Sequence, residues 1–597
     1  MDITRLRRFL MLTAVGGLMG GCQGLFDSPE AEQTLQQYVE AAIDREVAAL
    51  PAEIAPLTMA ERPSPVEEAL AQRREELDQI GPPLEPDTGV LDSGPDLTGA
   101  DQAQVAVALE SVILSAVRNN LGVQASSLQP AITAEDIIAA EAVFDWLLLG
   151  DVGFVKTDQP QTVPVINNIP LGSAFMAAET YRFETGVRRT FTGGGQLSLT
   201  TDLMRNNNRS TGIGFSPNPA YDAALRLGLT QPLLRGFGRE VNTATIRLAE
   251  HAQQRSVEQL RADLLDVVQR TESAYWTLVF AWRNLAIQQW MVDEGVKVRD
   301  ILERRMDFDT RLAEYADAVA TVEQRKANVI RAQRRVRAAS DALKALINDP
   351  ALTVGSEALL TPAEDVAAAP ITYSLREAIL AAVANRPEVH QAALVIEDAK
   401  IGQLLADNQR LPLLNLSAQM AYFGLDDGVG DSYDQLSEGS FIDYIVGLSF
   451  EYPFGNRGAE AGFRQARLQR TASIIAYRQV VQNAVLEVKD ALRDVITNYD
   501  LIQATRSFRV AQAENLRALA VEEETLAGLT PEFLNLKFQR QSGLALAQAQ
   551  EVQALVNYRQ SVANLYRAMG TGLTMKGIDL EIIDDPDMLP AQDASDR

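Results

Sequence analysis

Cysteine is almost absent from this chain: of 597 residues one, Cys22, carries a thiol. An internal disulfide and any cysteine-built zinc site are therefore excluded. Histidine is nearly as scarce, and the two present, His251 and His390, both fall in long helical patterns. A lone histidine there is ordinarily a surface or packed residue. No G-x-x-x-x-G-K-[ST], G-x-S-x-G or H-E-x-x-H motif occurs, so phosphate-loop, nucleophile-elbow and zinc-protease chemistry have no starting point. Nothing calls for a catalytic residue, a metal or a cofactor. An unbroken apolar run of roughly 18–20 residues, the need of a spanning helix, is also missing. If the chain crosses a membrane it does so as a closed barrel, the other structure that satisfies its backbone in lipid. Basic charge is short as well, with 54 Lys and Arg against 80 Asp and Glu and a formal charge of -26. That balance opposes a nucleic-acid partner, whose binders present basic patches, and suits a soluble surface or an acidic channel wall. What the chain has is apolar content, 46%, too much for a disordered tail.

Its start, MDITRLRRFLMLTAVGGLMGGC, places Arg5, Arg7 and Arg8 before an apolar stretch that ends in small residues. This is the pattern of an export signal over residues 1–21. Met19-Gly20-Gly21-Cys22 resembles a bacterial lipobox, after which Cys22 becomes the lipidated first residue; Gln23 behind it favours the outer membrane. Residues 22–100 turn polar and proline-rich (GPPLEPDTGVLDSGPDLTG), with short helical patches near 30–50 and 65–79. They read as a lipid-anchored extension laid over a larger body, or partly disordered.

Beyond residue 100 two rhythms alternate. Segments of about ten residues carry a strict two-residue period: Trp146, Leu148, Val152 and Phe154 share one face, as do Tyr181, Phe183 and Val187, then Leu197, Leu199 and Leu203, then Tyr221, Leu225, Leu227 and Leu229. Residues 413–422 and 442–452 repeat it. Between these clusters lie spans almost without helix breakers, 240–306 and 458–525, with apolar positions at 3 and 4 and charged faces, the reading of a coiled coil. Each is followed by a helix about half as long, 313–348 and 531–569, and a shorter helix, 388–410, precedes the second strand cluster. YDAALRLGLTQPL (221–233) aligns without gaps onto IDYIVGLSFEYPF (442–454), matching Asp222 to Asp443, Leu227 to Leu448 and Pro232 to Pro453. Two internal repeats follow. Pro232 and Pro453 lie 221 positions apart but Phe144 and Leu411 lie 267 apart, so the first half carries about 46 extra residues. The surplus, TYRFETGVRRTF and QLSLTTDLM around Thr192-Gly193-Gly194-Gly195 with a long loop, is an inserted hairpin.

The expected fold is an α+β membrane protein, a β-barrel continued by a long helical coiled-coil barrel. The first repeat holds a helical segment over 101–143, strands over 144–235 and helices over 236–349. An equatorial segment follows over 350–387. The second repeat holds a helix over 388–411, strands over 412–455 and helices over 456–569, and an acidic tail closes the chain over 570–597. Strands end at Pro232 and Pro453, which lack an N–H for the ladder. Gly236, Gly238 and Gly455 then let the chain turn into the helices.

From about residue 101 the chain resembles the TolC-like outer-membrane factor family. AVANRPEVHQAALVIEDAKIGQLLADNQRLPLLNLSAQ is similar to the family's helix into first strand, and Asn119-Asn120 to Phe144 to a weaker copy of it. GLTQPLLRGFG is similar to the strand exit, and Glu272-Ser273-Ala274-Tyr275-Trp276-Thr277-Leu278 to the aromatic patch of the long helix. The resemblance implies a homotrimer with its barrel in the outer-membrane lipids and a helical tunnel across the periplasm. It implies a passive exit duct of a tripartite efflux system, joined through a periplasmic adaptor to an inner-membrane pump of RND or ABC type. It implies adaptor-contact tips at Thr310, Arg311, Leu312 and Ala313 and at Ala527, Gly528, Leu529 and Thr530, with Arg311 where the family usually has glycine. Tunnel-narrowing aspartates of the family match Asp317, whereas their second set falls on Leu534 or Asn535 and on Lys537. Family trimers usually contribute four strands per chain; the inserted hairpin either raises this to six, eighteen in all, or lies outside the wall. An outer-membrane component of type I protein secretion and a periplasmic coiled-coil scaffold without a pore remain as alternatives.

Overall fold

The computed structural model describes residues 57–579 except 61, 85–90, 98, 100, 101, 168, 171–173, 211–213, 308, 309, 365 and 526–529, and before them only 37, 41, 43–46 and 48. The main helices are α1 (Ala244–Arg304), α2 (Leu312–Ile347), α3 (Leu375–Asn385), α4 (Pro387–Asn408), α5 (Val429–Glu438), α6 (Arg457–Thr525) and α7 (Pro531–Ala568). The main strands are β1 (Leu147–Pro160), β2 (Phe175–Thr190), β3 (Gln196–Asn208), β4 (Ala220–Pro232), β5 (Leu413–Asp426) and β6 (Phe441–Glu451). α1 has 61 residues and α6 has 69, about 90 and 100 Å at 1.5 Å per residue. Neither contains a proline, and α1 contains a single glycine, Gly295. The described chain falls into two units, Val117–Leu264 with His390–Ser473, and the stretches up to Ala116 with Leu265–Val389 and Ile474–Ile578.

The first unit holds one six-stranded antiparallel sheet in the order β6-β5-β4-β3-β2-β1. Every neighbour in space is thus a neighbour along the chain or, at β4-β5, the next strand after the α1-to-α4 excursion. The inserted hairpin is β2 and β3, and it sits inside this sheet. It is paired on one side to β1, over Phe175–Arg188, and on the other to β4, over Gln196–Asn206. Of the two placements open from sequence, the structure takes the one within the sheet. The reason is side-chain phase: Val187 of β2 and Leu199 of β3 point to the same face as Leu148 and Leu227 beside them, so insertion keeps the apolar face unbroken.

α5, between β5 and β6, had no counterpart in the expected elements. Its Ser432 is fully buried and donates to the Tyr221 carbonyl at 2.9 Å, and the Tyr433 and Thr201 hydroxyls are hydrogen-bonded at 3.1 Å.

At the strand exit, the Leu233 N–H bonds the Leu414 carbonyl at 2.8 Å, and Asn408 Oδ1 accepts from Gly236 N at 2.8 Å. Gly236 and Gly238 have φ of 82° and 106°, a region where an L side chain costs about 1–2 kcal/mol. The second exit uses Gly455 (φ 84°) and Asn456 (φ 39°), and Asn456 Nδ2 donates to the Arg410 carbonyl at 2.9 Å.

In the second unit a core of Val488, Val495, Tyr499, Ala554 and Tyr558 from α6 and α7 packs with Ile379 of α3 and Met59. Trp282 of α1, 1% exposed, donates its indole N–H to the Leu360 carbonyl at 2.9 Å, so its one polar atom is satisfied. Leu360 lies in a strand, Leu359–Pro362, paired in parallel with Gln104–Val107. The described residues between 57 and 97 are laid over the helices. Leu77, with no exposed surface, sits among Val510, Ala513, Leu516 and Leu544. The Asp92 carbonyl accepts from Gln289 at 2.6 Å and from Gln333 at 3.1 Å, and Arg337 donates to the carbonyls of Ser93 and Pro95. The extension therefore ties α6 and α7 at one stretch and α1 and α2 at the next.

Candidate functional site

The register of the sheet sorts its side chains into two faces. Leu148, Val187, Leu199, Leu227, Met420 and Tyr444 form one unbroken row across all six strands. Val152, Phe183 and Leu203 form a parallel row nearby. Many of these residues stand in the open: Leu148 is 77% exposed, Val152 79% and Tyr444 69%. The adjacent row on the opposite face contains Asp151, Glu184 and Asp202, and another contains Thr200, Arg226 and Asp443. Glu184 pairs with Arg182 at 2.6 Å, and Asp202 with Arg226. One face thus suits hydrocarbon and the other suits water.

Both ends of the apolar face carry an arginine among aromatic rings. Arg205 lies 5.6 Å from the Tyr181 ring and 5.9 Å from the Tyr221 ring. Arg189, at the other end, lies 5.5 Å from Trp146 and 5.8 Å from Phe191. Tyr181 and Arg189 are eight residues apart on β2, about 26 Å along the strand and about 20 Å in height at a barrel tilt of about 40°. Amphipathic rings at the two borders of an apolar band about 25 Å tall are what a lipid-water interface selects in a barrel.

In the other unit the turn between α1 and α2 presents Arg311, Leu312 and Ala313 to solvent, with Leu312 75% exposed. Glu314 accepts from Arg311 N at 2.9 Å and lies 3.6 Å from its guanidinium, which fixes the first turn of α2. Thr310 is buried, and its hydroxyl has no hydrogen-bond partner among the described residues. At the second tip Thr530 is exposed, and its hydroxyl accepts from Phe533 N at 3.3 Å. Ala527, Gly528 and Leu529 lie outside the described residues, as does Cys22.

Asp317 and Asn535 are exposed. Leu534 is fully buried with Val298, Leu302, Ala318 and Phe538, which leaves Asn535 as the outward residue of that pair. Lys537 is ion-paired to Glu523 at 2.5 Å, so its charge is already met within the helical pair.

Sequence reading missed Arg325. It occupies the core stripe of α2 between Val322 and Ala332 and is 3% exposed. Nη1 donates to the Met291 carbonyl at 2.7 Å and to Gln541 Oε1 at 3.1 Å; Nη2 reaches the Phe538 carbonyl at 3.3 Å, and the guanidinium lies 4.9 Å from the Phe538 ring. Burial pushes its pKa down to about 10, which the Glu294 carboxylate partly opposes. The signal was present: a charged residue at an apolar phase, facing the only glycine of α1. A Cβ on Gly295 would meet Arg325 Nη1 at 3.0 Å.

The two histidines pair across helices, His251 with Asp398 at 2.7 Å and His390 with Glu258 at 3.1 Å. Among the described residues Asp426, Asp427 and Asp431 are the one acidic group close enough to share a cation. They sit at the β5–α5 junction, mostly exposed, and nothing else there points to a ligand.

Residues 378–571 match the outer membrane efflux protein family. No curated protein matches the chain by sequence. Among solved structures, the chain is similar to the Campylobacter jejuni CmeC outer membrane channel, at 14% identity and a TM-score of 0.56 over 78% of this chain and 86% of that one. It is similar to the Neisseria gonorrhoeae MtrE outer membrane channel, at 16% identity and a TM-score of 0.52 over 87% and 99%. CusC, whose structures are described for transmembrane channel formation, gives 14% and 0.55 over 87% and 100%. The chain has the fold of these channels, and its resemblance to TolC-like outer-membrane factors holds.

Proposed function

We propose that the chain is one protomer of a trimeric exit duct in the bacterial outer membrane, anchored through Cys22 and carrying substrates passively outward. The observation that carries this reading is the single row of six apolar residues across six strands, bordered by arginine and aromatic rims and backed by a charged face. A sheet built for solution on both sides has no use for such a face. A coiled-coil scaffold without a pore has none either. The family match over residues 378–571 and the fold shared with outer membrane channels support the same reading.

In this reading the helical pairs α1–α2 and α6–α7 line a conduit, and their turns meet a periplasmic adaptor that leads to an inner-membrane pump. Leu312 is an exposed leucine at such a turn, and a partner's apolar contact would cover it. The duct needs no chemistry of its own; direction comes from the pump. Purified protein reconstituted in planar bilayers should give discrete, long-lived conductance steps. A preparation of folded trimers that inserts but never conducts would sink the proposal.

A further inference from the structure

We infer that three copies of the sheet close into an eighteen-stranded barrel, half as wide again as the twelve-stranded one the resemblance implies, so that the outer mouth does not select cargo by size. The inference rests on the trimeric duct proposed above and concerns what its membrane stage admits.

The first ground is the hairpin. β2 and β3 are hydrogen-bonded into the middle of the sheet, and their Val187, Phe183, Leu199 and Leu203 continue the apolar face of their neighbours. Removing them from the wall would break two complete ladders and strand an apolar face in water.

The second ground is parity. Six strands alternate in direction, so the edge strands β1 and β6 of one chain run opposite ways. Set against the β6 of a second copy, β1 therefore meets it antiparallel, the sense of every other pair in the sheet. Phase agrees as well. Leu148, Val152 and Phe154 of β1 lie on the same face as Tyr444, Val446 and Leu448 of β6, and these six are 56–79% exposed.

The third ground is the state of the edges. β1 offers 14 residues and β6 offers 11. β6 contains neither proline nor lysine, and β1 has them only at Lys156 and Pro160, towards its end. Natural sheets that stay monomeric blunt their edges with such residues. In hydrocarbon each unpaired backbone group costs several kcal/mol, so these edges demand a partner. A second copy of the chain supplies one of the right length, direction and face.

Strands about 4.8 Å apart and tilted about 40° place the backbone of eighteen strands on a radius of about 18 Å, against about 12 Å for twelve. With side chains reaching about 6 Å inward, the wider ring leaves a bore near 24 Å, about twice the width of an α-helix with its side chains. The lining is the polar face, including Asp151, Glu184, Asp202, Arg226 and Asp443. Small molecules and extended or helical polypeptide pass such a mouth alike, which leaves size selection to the helical stage.

Symmetry-related distances read the ring directly and do not depend on whether the periplasmic end is open. A spin label at Leu227→Cys, on the apolar face of a central strand, repeats three times around the axis. Pulsed dipolar spectroscopy should then report one distance near 40 Å, where a twelve-stranded ring gives about 30 Å. A label at Leu199→Cys, on the inserted hairpin, should relax with lipid-soluble oxygen rather than a water-soluble reagent. A Leu227→Cys distance near 30 Å, or water contact at Leu199→Cys, overturns this inference and leaves the duct intact. Absence of any intermolecular distance in folded protein overturns both.

Discussion

Arg325 is the residue whose removal best tests whether the helical pairs are held together by a specific tie. It belongs to α2, accepts nothing, and donates into α1 at Met291 and into α7 at Gln541 and Phe538. Two well-placed bonds from a charged donor contribute about 4 kcal/mol. Burial takes back about 3 kcal/mol, the equivalent of a pKa pushed from its ordinary value down to about 10. Lost packing on Phe538 and the cavity left behind add about 2–3 kcal/mol to the cost of truncation. Arg325→Ala should therefore destabilise by about 3–4 kcal/mol. Arg325→Met, which keeps most of the volume and removes the buried charge, should be near neutral. Because the guanidinium stays protonated well past neutrality, neither effect should change between pH 6 and 8. The assay is thermal and denaturant unfolding of the purified protein, followed by a double-mutant cycle with Gln541→Ala. The coupling should reach about 1–2 kcal/mol. Gly295→Ala is the complement: helix propensity alone promises a gain of about 1 kcal/mol, yet the Cβ crowds Nη1, so no stabilisation is expected. Additive effects of Arg325→Ala and Gln541→Ala, or a stabilised Gly295→Ala, would refute the tie.

Other consequences are open to direct measurement. Leu312→Glu should preserve trimers and membrane insertion but abolish export, as should Gly528→Glu at the other tip, while Arg311→Gly should be milder; normal export by Leu312→Glu at normal abundance would remove the first tip from the contact. Leu77→Ala should cost about 3 kcal/mol and render residues 57–97 sensitive to limited proteolysis, and unchanged protection would show that the extension is held elsewhere. Glu514, hydrogen-bonded by Arg517 at 2.7 Å and reached by Arg73 of the extension at 3.4 Å, has its carboxyl pKa held below the ordinary 4.5. Its contribution is present above that value and is lost as pH falls through the lower folded value, so protection of 57–97 should weaken below pH 4.5 and this acid dependence should shrink in Glu514→Gln. Mass spectrometry should find the mature N-terminus lipidated at Cys22; an unmodified terminus elsewhere would dismiss the anchor.

How much of this was legible depended on how local each cause is. The long helices were plain because breakers are missing: the span read as 458–525 forms over Arg457–Thr525, and 531–569 over Pro531–Ala568. α5 was not, because VGDSYDQLSE is acidic and short, and what holds it is a serine reaching the Tyr221 carbonyl some 210 residues away. The parallel pairing of Gln104–Val107 with Leu359–Pro362 was hidden for the same reason. Arg325 was visible but unread: a charge in an apolar stripe marks either an error in the stripe or a buried partner, and only the opposing Gly295 told the two apart. The hairpin shows the limit most sharply. Alternation assigns each strand an apolar side, but it does not say that six such sides coincide. A slip of one residue at either β1-β2 or β3-β4 would send every leucine of the insert to the charged face. Length arithmetic predicted that two strands were added. Their membership in the sheet shows in the ladders that put Leu148, Val187, Leu199, Leu227, Met420 and Tyr444 in one row, and the wider mouth inferred above rests on that row.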